Sequence, residues 1–297
     1  MRSKLSGTHF LGDRCKPTAG TLWYGRDREP TLKSDAGRLH LNSHAYWWSK
    51  KAMSVRIGTS GWSYDHWEGV LYPHQLPPRS RLDCYIQHYQ TVEVNSTYYR
   101  WPPNATFANW RERLPEGFLM TVKAPRGLTH SKRLYSPEKW LERISEGLQC
   151  LGSRLGILLV QLPPQFGCDS PRLAYFLEQV PPWIKVAVEF RHPSWHAEEV
   201  FSLLERFGAA YCVMSGAHLP CILRATGSFV YVRLHGPDPN NLYGGSYSDG
   251  DLHWWAERIQ EWESQGLSAF VYFNNDGDGN AVRNASQLKT FVENNTY

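Results

Sequence analysis

Residues 186–195 read Val186-Ala187-Val188-Glu189-Phe190-Arg191-His192-Pro193-Ser194-Trp195. The stretch begins like a buried parallel strand, yet Glu189 and Arg191 stand two apart, and side chains two apart share one face of a strand. A strand covered by helices on both sides reads as a nearly continuous apolar run. A charged pair on one face therefore implies a polar centre where several strands meet. The pattern recurs in Val92-Glu93-Val94-Asn95, Thr121-Val122-Lys123 and Val232-Arg233-Leu234-His235.

Outward from this stretch, strand-like and helix-like patterns alternate from Met53 onward. Strands are predicted over 55–59, 91–95, 118–123, 155–162, from 186, and over 210–214, 229–235 and 269–273. Helices are predicted over 82–89, 107–113, 136–148, 171–179, 198–207, 251–262 and 282–292, with Ser136 as the N-cap and Pro137 in the first turn of the third. The stretch after the sixth strand is broken by Gly and Pro, so no long helix is expected there. Eight strand-then-helix units in about 245 residues predict an α/β protein with a single-domain (β/α)₈ TIM-like barrel. A doubly wound sheet ranks second, because the first loop lacks a dinucleotide fingerprint.

The barrel is assigned to 53–297, and residues 1–52, which show no sustained period, to an irregular extension. That extension holds ten Lys/Arg and four Asp/Glu, which leaves 22 basic and 24 acidic residues in the body, a net of −2. A global basic face for nucleic acid is therefore not indicated, while a local cationic pocket is. No apolar run is long enough to span a bilayer, and the N-terminus lacks the apolar segment of a secretory signal, so a cytoplasmic protein is expected. The six cysteines form no C-x-x-C pair and read as buried or incidental thiols.

Catalytic side chains of a barrel sit at the C-terminal ends of its strands. Glu93, Asn95, Lys123, Gln161, Glu189, Arg191, Arg233, His235 and Asn275 all fall there. Lys123, Arg191 and Arg233 outnumber Glu93 and Glu189 by one charge, which favours an anionic ligand. Arg offers a planar fork for phosphate or carboxylate and Lys a point charge. Glu93 or Glu189 is the candidate base and His235 the candidate acid or base. Asn95, Lys123, Gln161, Arg191, Arg233, Asn275, Trp62, Tyr64 and Tyr98 are the candidate ligand contacts. The competing reading is an ion-paired plug that closes the barrel top, since buried charges persist when paired. What separates an enzyme from a non-catalytic binding protein is whether a carboxylate and His235 surround an accessible space or are locked into mutual ion pairs, and a cluster closed to solvent throughout would sink both. Two glutamates could also serve a glycosidase, with Trp62, Trp67, Tyr98, Tyr99 and Trp101 as stacking platforms.

No cofactor is predicted. A divalent ion on Glu93, Glu189, His192 and His235 ranks below the anion, because Pro193 keeps His192 and His196 off one helix face. Asp276-Gly277-Asp278-Gly279-Asn280 imitates a calcium loop for five residues, then lacks its turn glycine and bidentate glutamate. Tyr243-Gly244-Gly245-Ser246 could offer N–H groups to a phosphate, though an ordinary loop reads as well.

Several blocks carry a family resemblance. Gly58-Thr59-Ser60-Gly61-Trp62-Ser63-Tyr64, Val92-Glu93-Val94-Asn95-Ser96-Thr97-Tyr98-Tyr99-Arg100, Leu162-Pro163-Pro164, the opening stretch, Tyr231-Val232-Arg233-Leu234-His235-Gly236-Pro237 and Tyr272-Phe273-Asn274-Asn275-Asp276 resemble the domain of unknown function 72 family, also called YecE-like. The resemblance runs from Met53 to the C-terminus. It implies a TIM-barrel-like fold in a mainly bacterial, cytoplasmic family and no established activity. Relatives often carry Asp where this chain has Ser215. From the residues themselves the leading expectation is an enzyme acting on a phosphate-bearing or other anionic substrate by acid–base chemistry, such as phosphodiester cleavage. A non-catalytic protein binding nucleic acid or a small anion comes second and the glycosidase third. No membrane partner is expected, and no oligomeric state follows from the sequence.

Overall fold

The computed structural model describes residues 55–294, so the extension expected over 1–52 lies outside the described residues. The strands are β1 (Val55–Thr59), β2 (Thr91–Val94), β3 (Leu119–Lys123), β4 (Leu155–Gln161), β5 (Val186–Glu189), β6 (Ala210–Ser215), β7 (Phe229–Leu234) and β8 (Ser268–Phe273). They pair in parallel in the order β1-β8-β7-β6-β5-β4-β3-β2, which brings β1 and β2 round to face each other as a nearly closed barrel.

That closing seam is thin. Its one backbone bridge joins Ser60 and Glu93, where the Gly61 N–H donates to the Glu93 carbonyl at 2.7 Å. Elsewhere along it, the Tyr85 hydroxyl takes over from a backbone ladder. It accepts from the Thr59 N–H at 3.0 Å and donates to the Thr91 carbonyl at 3.1 Å. Gly58 permits this close approach, for a Cβ there would lie 2.4 Å from the Thr91 oxygen.

The helices are α1 (Arg81–Tyr85), α2 (Ser96–Tyr99), α3 (Asn104–Arg113), α4 (Glu138–Leu151), α5 (Ser170–Gln179), α6 (Glu198–Phe207), α7 (Asp249–Ser264) and α8 (Asn280–Asn294). No helix lies between β6 and β7, as the Gly/Pro punctuation predicts. The one-turn α2 falls in a stretch read as loop. The Ser136 cap does not form, because Ser136 sits at φ 46° and Pro137 takes the N-cap position with no side-chain bond. Caps do form where short polar side chains precede α5 and α7: the Asp169 carboxylate accepts from the Arg172 N–H, and Ser248 with Asp251 makes a capping box.

Alternation along each strand sorts the apolar residues into two cores. Residues such as Val92, Val122, Val160, Val188, Val213, Val232 and Val271 face the helices. Ile157, Leu159, Ala187, Cys212, Met214, Tyr231 and Tyr272 fill the barrel interior. Among the described residues no helix is long and apolar enough to cross a membrane.

Candidate functional site

The period of two that fills the barrel also delivers its polar top. Ala187 points inward, so Glu189 follows it inward; Tyr231 likewise precedes Arg233 and His235. Glu93, Glu189 and His235 are 0% exposed and Arg233 1%. Arg233 spans the two carboxylates, with Nη2 donating to Glu93 Oε1 at 2.7 Å and Nη1 to Glu189 Oε2 at 2.6 Å. Glu93 also accepts from the Ser60 hydroxyl at 2.6 Å and from the Tyr231 hydroxyl at 2.5 Å. This lower tier is closed, with the Arg233 Nε–H left without a partner, and neither its carboxylates nor His235 borders an accessible space, which is the arrangement of the ion-paired plug.

A second tier lies above it and reaches solvent. Arg191 Nε donates to Glu189 Oε1, and Arg191 Nη2 lies 3.2 Å from His235 Nε2. A guanidinium can only donate, so Nε2 is the acceptor and the neutral ring carries its proton on Nδ1. The Asn274 amide stands 3.1 Å from Nδ1, and we orient it with its oxygen toward that N–H. Lys123, partly exposed at the end of β3, holds its ammonium 4.8 Å from the Tyr98 ring centre and makes no side-chain hydrogen bond or ion pair among the described residues.

The electrostatics follow from this layering. Burial alone would raise the Glu189 carboxyl, but Arg191 and Arg233 outweigh it and hold the group well below the usual carboxylate range. Burial, with Arg233 and Arg191 adding to it, keeps His235 neutral far below its ordinary value, against the pull of Glu189. Burial and the neighbouring Arg233 bring Lys123 down to about 8, with Glu189 and Glu93 opposing. Lys123 is thus the group of this cluster poised to exchange a proton near neutral pH.

The remaining candidates divide. Asn95 leaves a buried side-chain oxygen without a partner at the head of α2, and Gln161 ends β4 partly exposed. Tyr64 spends its hydroxyl on the Ser60 carbonyl at 2.7 Å, and Trp62 packs edge-on against Trp110. Asn275 is not brought to the cluster: its amide donates to the Gly245 carbonyl at 2.9 Å and to Asn284 at 3.0 Å, bracing the β7–α7 loop. Asn274 takes the inward place, because inward Phe270 and Tyr272 fix the parity of β8. Ser60, Tyr231 and Asn274 are not among the site residues expected from the sequence; Tyr231, two before Arg233, was findable by the same alternation. Ser215 pairs with the Tyr247 hydroxyl at 3.2 Å and stands apart from the ion network. Gly244 spends its N–H on the Asn241 carbonyl, at 2.9 Å, and Asp276 offers its carbonyl to His66 at 2.7 Å. Among the described residues no three His, Cys, Asp or Glu side chains gather in a metal-binding group.

The comparisons agree with this architecture. UPF0759 protein YunF of Bacillus subtilis (strain 168) is 27% identical over 278 residues, covering 80% of this chain and 95% of its own. UPF0759 protein YecE of Escherichia coli (strain K12) is 28% identical over 145 residues, 48% of this chain and 51% of its own. The crystal structure of a DUF72 family protein from Thermotoga maritima MSB8 superposes with a TM-score of 0.74 at 31% identity, covering 81% of this chain and 99% of that one. The family model described as "Protein of unknown function DUF72" matches residues 56–296, and the chain belongs to that family.

Proposed function

We propose that the chain is an enzyme that takes an anionic, phosphate-bearing substrate at the barrel mouth and moves a proton with Lys123. The observation that carries this reading is the Lys123 ammonium, which lies over the Tyr98 ring and has no carboxylate or hydrogen-bond partner among the described residues. Counting Lys123, Arg191 and Arg233 against Glu93 and Glu189 leaves one positive charge for an anion to neutralise. Arg191 is oriented by Glu189 and by His235 Nε2, so the two act through it. Glu93 and Arg233 form the fixed charges beneath. Asn95 and Gln161 offer amides to the ligand. Phosphodiester cleavage suits this set: as water forms the new P–O bond and the bond to the departing oxygen breaks, protonated Lys123 gives that oxygen its proton, and the proton released by the water restores Lys123. The glycosidase is not carried forward, because its two carboxylates must border a groove, and Glu93 and Glu189 are 0% exposed. A cytoplasmic setting belongs to the same proposal, with Cys84, Cys150, Cys168 and Cys212 as free thiols.

A second reading, a non-catalytic protein that binds nucleic acid or a small anion, is favoured by the saturation of both carboxylates. The test is a thermal-shift panel of phosphorylated metabolites, oligonucleotides and neutral sugars, followed by turnover assays on every stabilising ligand. The enzyme reading requires stabilisation by phosphate-bearing ligands that Arg191→Ala abolishes, and turnover that Lys123→Met abolishes. A bound ligand that is never consumed selects the binding protein. Stabilisation by neutral sugars alone would sink both.

A further inference from the structure

Beside the mouth, the loops after β2 and β3 and the first turns of α4 enclose a cleft of about 480 Å³, within the range of small-ligand sites. Arg100, Arg126 and Arg143 line it from three different segments, and all three are exposed. No carboxylate lines it, and none of the three guanidiniums makes an ion pair or a side-chain hydrogen bond among the described residues. Elsewhere among the described residues Arg81, Arg113, Arg172, Arg224 and Arg258 each pair with Asp or Glu. Three like charges gathered round one cavity repel one another, and an anion with several oxygens relieves that repulsion.

The walls between the arginines are aromatic. Tyr99 leaves 74% of its surface in water, a large exposure for an apolar ring. Trp140 packs closely against the β3 loop because Gly127 has no side chain; a Cβ there would come within 2.4 Å of its ring. Trp101 also lines the cleft, is 6% exposed, and has an indole N–H with no hydrogen-bond partner. A buried donor of this kind calls for an acceptor. Guanidiniums suited to phosphate oxygens and aromatic side chains suited to a flat ring occur together around one cavity.

We propose that this cleft binds a nucleotide, its phosphate among Arg100, Arg126 and Arg143 and its base against the aromatic walls. The inference does not rest on the reading of the mouth, with which the cleft shares only the Tyr98 ring. The ligand chemistry has two sources, a free mononucleotide or a nucleotide of a single-stranded oligonucleotide.

The experiment is calorimetric titration of the full chain with adenosine 5′-monophosphate, adenosine, inorganic phosphate and a short oligothymidylate. Mononucleotide binding that exceeds that of adenosine and of phosphate by about tenfold or more is expected, equivalent to about 1.4 kcal/mol for each missing half. Arg126→Gln/Arg143→Gln, two exposed changes checked for an unaltered melting temperature, should weaken it by about tenfold or more. Tyr99→Ser should weaken the nucleotide and leave phosphate unchanged. Arg206→Gln, an exposed change on α6 outside the lining of the cleft, should leave all affinities within about threefold, which separates the cleft arginines from a general effect of charge. An oligothymidylate bound tighter than the mononucleotide assigns the site to single strands, and the reverse assigns it to free nucleotides. Absence of saturable nucleotide binding at millimolar concentration, or binding indifferent to the double substitution, overturns the proposal.

Discussion

Arg233 on β7 reaches across the barrel interior to Glu93 on β2, Nη2 to Oε1 at 2.7 Å, with neither residue more than 1% exposed. The pair ties strands that are not neighbours in the sheet, and the other end of the same guanidinium holds Glu189 on β5. Removing the cation would leave two buried carboxylates uncompensated. Arg233→Met should therefore destabilise the protein by about 3–5 kcal/mol in urea unfolding, and adding Glu93→Gln should recover part of the loss. A neutral result for the single change would show that these charges are solvated.

At the seam, Tyr85→Phe removes the hydroxyl that serves both the Thr59 N–H and the Thr91 carbonyl. The expected cost is about 1–3 kcal/mol, the penalty of an unmatched buried donor and acceptor. Hydrogen exchange should report it locally, with faster exchange of the Thr59 amide than of the amides of β4.

Lys123 makes stability depend on pH in a defined direction. Its folded value of about 8 lies below the ordinary lysine value, so between the two the unfolded chain holds the extra proton. Stability should rise as pH increases through that window, and the rise should vanish in Lys123→Met, read as the difference between the two unfolding curves. Phosphate affinity at the mouth should move oppositely, falling as Lys123 loses its charge above about pH 8.

His235 should stay neutral with its proton on Nδ1 through mildly acidic pH, because burial and Arg191 oppose a second proton. Nitrogen NMR of the ring checks this directly. Asn274→Ala should shift the ring signals, whereas Asn275→Ala should leave them unchanged and lower stability through Gly245 and Asn284.

Asn274 and Asn275 also show how far the chain could be read before folding. The alternation that put Glu189 and Arg191 on one face runs through the barrel strands, apart from an irregularity at the start of β4 where Leu155 and Ile157 fall in different cores, and it locates Glu93, Lys123, Arg233 and His235 at one end. Carried one position further along β8, it would have chosen Asn274. The missed α2 and the failed Ser136 cap are local choices decided by neighbours, since Ser136 adopts a left-handed conformation that places Pro137 at the cap.

The sequence by itself determined the eight strand–helix units, the missing helix after β6 and the polar inward positions. Periodicity and turn residues act within a few residues of each other, so they are legible in one dimension. Only the tertiary structure decided which polar groups are spent and which remain. Glu93 is 140 residues from Arg233, and their pairing depends on barrel closure. The pairing of β2 with β3 likewise brings the two loops and the helix bearing Arg100, Arg126 and Arg143 around one cleft, with no acid among its lining. Charge balance is a property of neighbours in space, and a chain does not disclose those until it has folded.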